Sequence, residues 1–428
     1  MQPTLHLGQT LEFPSNPFHA GVESIHHRSH GAVLVSGGRI EAVGEATALR
    51  AAHPLAQIND HGRHVILPGF VDAHAHYSQT AIIASWGKRL IDWLNTYTFP
   101  EEMRFEDPGY AAEVAGRYLD LNLSNGITTA CAYCTIHPTS VDALMDAAQR
   151  RGMAMVAGKV MMDRNAPEGL RDTAQRGFDE SAALIARWHK TDRLRYAITP
   201  RFAPTSSPEQ LEAAGALFAA HPSCAMQTHL SEQLEEIAWV RDLFPEACDY
   251  FDVYARFGLV GPGAIMGHAI HLSDREWEAI TETGTAIAHC PTSNTFIGSG
   301  LFQMARAQAA QIPVGLATDV GGGSSFSMLR TMAAAYEVGQ LVGRAIHPGE
   351  LLWLATAGAA ETLRLGDQIG RLAPGMAADL VVLDLASTPV IAQRTAQAED
   401  IWEALFPTIM LGDDRAIAQV LIAGLPQP

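Results

Sequence analysis

Basic side chains are scarce in this sequence: 29 lysines and arginines stand against 46 aspartates and glutamates, leaving a formal net charge of −17. That balance repels phosphate backbones and anionic lipid, so neither a nucleic-acid nor a membrane partner is expected. Cysteine is scarce as well. Cys131, Cys134, Cys224, Cys248 and Cys290 are too few and too scattered over 428 residues to form a disulfide framework, which fits free thiols in a reducing compartment. No apolar run reaches the length of a bilayer span, and the opening MQPTLHLGQT has neither the cationic start nor the apolar run of a secretory signal. The expectation is a cytoplasmic protein. A Gly-rich nucleotide loop after an early strand is also missing, which counts against an open doubly wound sheet.

What is present describes a globular chain, with 47% hydrophobic and 18% charged residues. Near the N-terminus, GAVLVSGGRIEAVG places two short β-type runs around a Gly-Gly turn. From Pro68 to about Leu372, apolar strand candidates alternate with Ala- and Leu-rich helical stretches, the pattern of βα units around a parallel sheet. The strands are expected at Gly69–His76, Ile127–Tyr133, Met153–Met162, Leu194–Phe202, Cys224–Leu230, Ala264–Ala269, Thr285–His289 and Val314–Asp319, eight in all, the number of a TIM barrel. GRLAPGMAADLVVLDL and AIAQVLIAGL then supply further strands. The expected architecture is an α/β chain: a distorted (β/α)8 barrel over 68–371, with a small β-sandwich domain built from 1–67 and 372–428.

His74 and His76 lie two apart at the end of an apolar strand, so both imidazoles point to the same face and can share a metal. Alone, such a pair is weak evidence in a chain with 18 histidines. Four further polar residues fall at or just past the ends of later strands: His229, Glu232, His268 and Asp319. In a parallel barrel that end carries the active site, so one rim would collect them all.

These segments, PGFVDAHAH, QTHLSE, GHAIHL, AHCPTSN and ATDVGGGSS, resemble the amidohydrolase superfamily and, within it, the guanine deaminases. WLNTYTFPEE, ITPRFAPTSS and CPTSNTFIGSGLF extend the resemblance, which runs from about Pro68 to Asp384. It implies a cytoplasmic homodimer with one Zn2+ per chain, acting on a small-molecule purine base by hydrolysing guanine to xanthine and ammonia. Carried over by position, the metal ligands are His74, His76, His229 and Asp319. Bound zinc lowers the pKa of water towards about 7. His268 would orient the nucleophile, Asp319 would accept its proton, and Glu232 would protonate ring N3 beside the attacked C2. Gln79, Arg201 and Phe202 would hold the base, Arg201 through the adjacent O6 and N7 acceptors that a guanidinium matches with two parallel hydrogen bonds. Without the resemblance, the plain alternative for Arg201 is a surface ion pair.

Other aminated heterocycles (8-oxoguanine, a triazine or a nucleoside) would use the same metal chemistry, and a non-catalytic barrel scaffold would lack the ligands present here. Cys131-Ala-Tyr-Cys134 has no second Cys pair at useful spacing and is not taken as a metal site. The H-x-E and P-C-x-x-C signatures of the cytidine-deaminase fold are missing. Gly321-Gly322-Gly323 lacks the lysine of a P-loop, and His271 and His289 read as hydrogen-bonded structural histidines.

Overall fold

The computed structural model describes residues 2–86 and 90–427. Strands β1 (Thr4–Glu12), β2 (His26–Ser36), β3 (Arg39–Glu45) and β4 (Gln57–Pro68) come from the N-terminal part of the chain. The next group is β5 (Phe70–His76), β6 (Ile127–Tyr133), β7 (Ala154–Gly158), β8 (Val160–Met161), β9 (Leu194–Pro200), β10 (Ala225–Leu230), β11 (Ala264–His268), β12 (Ala286–His289) and β13 (Val314–Leu316). β14 (Leu380–Leu383), β15 (Ile417–Ile422) and β16 (Leu425–Pro426) follow.

Both chain ends join one sheet in the order β16-β15-β14-β4-β1-β2-β3. Val33, Val35 and Ile40 from one end of that sheet share a buried cluster with Leu380, Val382 and Leu421 from the other, so the sheet folds over itself as a sandwich. The alternate residues Val65, Leu67, Val381 and Leu383 point the opposite way and join the core that continues into the barrel.

Eight parallel strands, β5-β6-β7-β9-β10-β11-β12-β13, make the nearly closed barrel. Helices between them start where their sequences provide caps. Asp107 accepts from Gly109 N–H ahead of Pro108–Ser124, and Ser273 with Glu276 forms a capping box on Asp274–Thr283, which Gly284 ends in the left-handed region at φ +69°. Val71, Cys131, Val156, Ala197, Ala225, Ile265 and Ala288, one from each of seven strands, meet Ala317 in a buried layer of mostly small side chains. Cys134 packs in a different cluster from Cys131, so the two thiols do not converge.

The third barrel strand is shorter than its apolar run. It breaks after Gly158, where an added Cβ would lie 1.7 Å from the Ala197 carbonyl oxygen, and the next residue, Lys159, is buried in an ion pair with Asp172. The eighth strand stops at Leu316, which pairs with His289, the last residue of β12, and does not reach Asp319, which takes a left-handed φ of +49°.

Closure between the first and last strands depends on a buried carboxylate. Asp72 Oδ1 accepts from the backbone N–H groups of His74 (3.3 Å) and Thr318 (3.0 Å), while Oδ2 accepts from the Thr318 hydroxyl. One residue past Thr318, Asp319 N–H donates to the His74 carbonyl at 2.9 Å. Asp72→Ala strands these donors in the core, so it should lower unfolding free energy by roughly 2–4 kcal/mol, with Asp72→Asn costing less. Chemical denaturation checks this, and a loss below about 1 kcal/mol for Asp72→Ala would place closure elsewhere.

Candidate active site

One cavity opens at the C-terminal end of the barrel strands. His76, Gln79, Arg201, Phe202, His229, Glu232, His268 and Asp319 line it, together with Trp93, Leu94, Ile297 and Gly322. His74 sits directly behind His76, with ring centroids 5.1 Å apart. Every site residue expected from sequence therefore lies in or against a single cavity.

Local backbone geometry aims these side chains. The pairing of β5 with β6 shifts register between Asp72 and Ala75, a bulge that contains His74 and is of the kind that re-aims side chains beside sites. His268 and Asp319 hold φ of +68° and +49°, left-handed conformations that cost about 1–3 kcal/mol and cluster at functional sites. Gly267 is required next to His74: a Cβ there would come within 2.8 Å of the imidazole.

The nitrogens of three histidines converge. His76 Nε2 and His229 Nε2 are 3.2 Å apart, and His74 Nε2 and His76 Nε2 stand 3.5 and 3.4 Å from Asp319 Oδ1. His229 Nδ1 lies 2.7 Å from the Arg201 carbonyl, so it carries the proton and leaves Nε2 its lone pair. Burial, reinforced by charges on neighbouring groups, pulls His76 and His229 well below the ordinary imidazole range, and burial also lowers His74. All three are neutral at pH 7. His74 Nε2 is buried without a hydrogen-bond partner among the described residues. Neutral imidazoles with converging lone pairs beside a carboxylate are a donor set for a divalent metal.

The donor atoms of His74, His76 and His229 lie within 4.8 Å of one another, and so do those of a second group, His74, His268, Cys290 and Asp319. Cys290 fits that role poorly. Burial pushes its thiol well above the ordinary range, and Sγ–H contacts the Ala288 carbonyl at 3.5 Å.

Glu232 and His268 stand side by side in the cavity. Glu232 Oε2 is 3.5 Å from His268 Nε2, Ser299 Oγ donates to Glu232 Oε1 at 2.8 Å, and Asn294 Oδ1 lies 2.8 Å from His268 Nδ1. Burial raises the Glu232 carboxyl above its ordinary value, and the Asp319 charge adds to this. Burial alone would lower His268, but the Glu232 and Asp319 carboxylates raise it overall. Asp319 goes the other way: against burial, His74 and His268 hold it at about 2. The cavity thus combines an ionised aspartate with a glutamate biased towards its protonated form, a separation suited to acid–base work.

Aromatic and polar side chains make up the rest of the lining. Phe202 packs with Trp93 and Leu94. Arg201, only 3% exposed, does form an ion pair, but a buried one rather than one on the surface: Nη1 donates to Glu102 Oε1 (3.0 Å) and Oε2 (2.7 Å). Gln79 Nε2 donates to the same Oε1 at 2.9 Å. Sequence reading passed over Glu102, Asn294 and Ser299, although all three lie in the quoted segments TFPEE and CPTSNTFIGSG.

Comparison with known proteins agrees with this geometry. The amidohydrolase family model matches residues 65–425, and a bacterial imidazolonepropionase-like composite domain matches residues 31–56. Guanine deaminase of Escherichia coli K12 is 45% identical over 92% of this chain and 90% of its own length. The solved E. coli guanine deaminase superposes with a TM-score of 0.97 at 41% identity, covering 99% of each chain. A guanine deaminase from C. acetobutylicum, solved with guanine in its active site, superposes at 0.90 with 29% identity, covering 99% of this chain and 100% of its own. The chain belongs to the amidohydrolase family, and within it stands with the guanine deaminases.

Proposed function

We propose that this cavity hydrolyses the 2-amino group of guanine, releasing ammonia and xanthine, with one zinc ion held by His74, His76, His229 and Asp319. The observation that carries the reading is the meeting, in one cavity, of that donor set, the Glu232–His268 pair and an arginine-lined wall. Zinc suits a site of three imidazoles and a carboxylate, and when bound it supplies the Lewis acidity that makes water a nucleophile at neutral pH. Kinship with guanine deaminases supports the choice of base. The free thiols suit the cytoplasm, and a homodimer is the proposed assembly.

The chain's own groups divide the remaining work. Phe202 offers a face to the purine ring, and Arg201 donates to O6 and N7. This places C2 towards the histidines and N3 towards Glu232. Glu232, biased to its protonated form by burial, delivers a proton to N3, which makes C2 the better electrophile. His268, fixed by Asn294, orients the attacking water, and ionised Asp319 accepts its proton. Ammonia leaves from the tetrahedral C2 once that proton reaches the amino group.

Ammonia release from guanine by zinc-loaded protein tests the reading, and two variants locate it. Glu232→Gln should keep its metal content and lose roughly a hundredfold or more in kcat, the usual size of a general acid–base contribution. An unchanged kcat would move the proton transfer to another group. Arg201→Lys keeps a cation against Glu102 but cannot present two parallel N–H groups, so kcat/KM for guanine should fall by roughly 1.5–3 kcal/mol. Wild-type guanine turnover in that variant would remove Arg201 from base recognition.

A further inference from the structure

Glu102 is a buried acid that touches two ligand-facing side chains without facing the ligand. It sits on the short helix Phe99–Met103, is 0% exposed, and is not among the residues lining the cavity. Its Oε1 accepts from both Gln79 Nε2 and Arg201 Nη1, and its Oε2 accepts from Arg201 Nη1 again. Gln79 follows the first barrel strand and Arg201 the fourth, so one carboxylate ties together two walls of the cavity.

The pattern of atoms has a chemical consequence. Arg201 meets Glu102 through one nitrogen only. Among the described residues, neither Nε nor Nη2 donates to the protein, which leaves an N–H pair for two adjacent acceptors. A carboxylate only accepts, so Gln79 must turn its NH2 towards Glu102, which commits its carbonyl Oε1 to the remaining direction. The free amide of Gln79 could otherwise face a ligand with either end. With Glu102 in place, the wall presents donors from Arg201 and an acceptor from Gln79. Guanine's edge is the complement, with acceptors at O6 and N7 and a donor at N1–H. A 6-aminopurine reverses O6 and N1 and meets donor with donor. A buried ion pair is weak evidence for stability, since desolvation offsets the attraction, so the arrangement calls for another reason.

We propose that Glu102 is a positioning residue that sets the hydrogen-bond polarity of the base-recognition wall, and so selects a 6-oxo over a 6-amino purine. The inference rests on the reading that guanine binds through Arg201 and Gln79. Its probe is 2,6-diaminopurine, which carries the same reacting 2-amino group but the reversed edge at C6 and N1. In Glu102→Gln the replacement amide can donate as well as accept, which frees Gln79 to turn. The ratio of kcat/KM for guanine to that for 2,6-diaminopurine should narrow at least tenfold, with metal content unchanged. A purely structural role would lower the melting temperature or scale both substrates together, and a wild-type ratio in the folded variant overturns the proposal. Should Glu102→Gln fail to fold, Glu102→Asp keeps the charge against Arg201 while withdrawing the carboxylate by one methylene. It should narrow the ratio about threefold, and a wild-type ratio there overturns the proposal equally. Normal guanine turnover in Arg201→Lys would sink the underlying reading of the pocket, whereas impaired Arg201→Lys beside an unaltered Glu102→Gln ratio would sink this inference alone.

Discussion

The Asp72 carboxylate, joining the first barrel strand to the segment after the last, is the contact on which the rest of the site depends. A parallel barrel brings its first and last strands together only on closure, and His74, His76 and Asp319 lie on the two sides of that seam. The seam is made from short-range parts: one carboxylate, one threonine and a backbone hydrogen bond from Asp319 to the His74 carbonyl. The atoms that close the barrel are thus one or two residues from the atoms that meet in the cavity. A defect in closure is necessarily a defect in the site.

Burial does the second part of the work. In water these histidines would be partly protonated near pH 6.5 and an Asp–Glu pair would both be ionised. Inside the barrel mouth the imidazoles are neutral, Asp319 stays ionised through its histidine neighbours, and Glu232 is pushed towards its acid form. One low-dielectric cavity therefore produces ligands, a base and an acid from ordinary side chains, with identity decided by who stands next to whom. In the proposed reading, the chemistry and the recognition of the base share this cavity but draw on separate groups, and Arg201 links them because its carbonyl also fixes the His229 tautomer.

Much of the architecture was legible along the chain because barrel strands are short apolar runs with fixed partners on either side. All eight expected strands exist, and the misjudged ends have local causes. The third is cut by Gly158, held against the Ala197 carbonyl, and by the buried Lys159–Asp172 pair, a Gly-Lys step that interrupts the run but has apolar residues on both sides. The eighth was carried too far because its own sequence does not show that its partner strand β12 ends at His289, opposite Leu316. The convergence of His74, His76, His229, His268 and Asp319 followed from their position at strand ends, which a barrel gathers onto one rim. Glu102 was invisible for the opposite reason. A glutamate in the first turn of a helix after proline is ordinarily a solvated, dipole-favoured residue, and only the fold reveals that this one faces inward onto an arginine from a strand about a hundred residues away. Asn294, on the short helix Pro291–Phe296, and Ser299, in the loop after it, are similar: their partners His268 and Glu232 come within reach only once β10 and β11 are assembled beside them.

The donor atoms fall into two overlapping groups, His74–His76–His229 and His74–His268–Cys290–Asp319, and the proposed site takes the three histidines of the first with Asp319 of the second. X-ray absorption at the zinc edge of protein loaded with about one ion per chain separates them directly. The account predicts nitrogen and oxygen neighbours alone, at about 2.0–2.2 Å, from His74, His76, His229 and Asp319. A sulfur neighbour at about 2.3 Å would place the ion against Cys290 and contradict it.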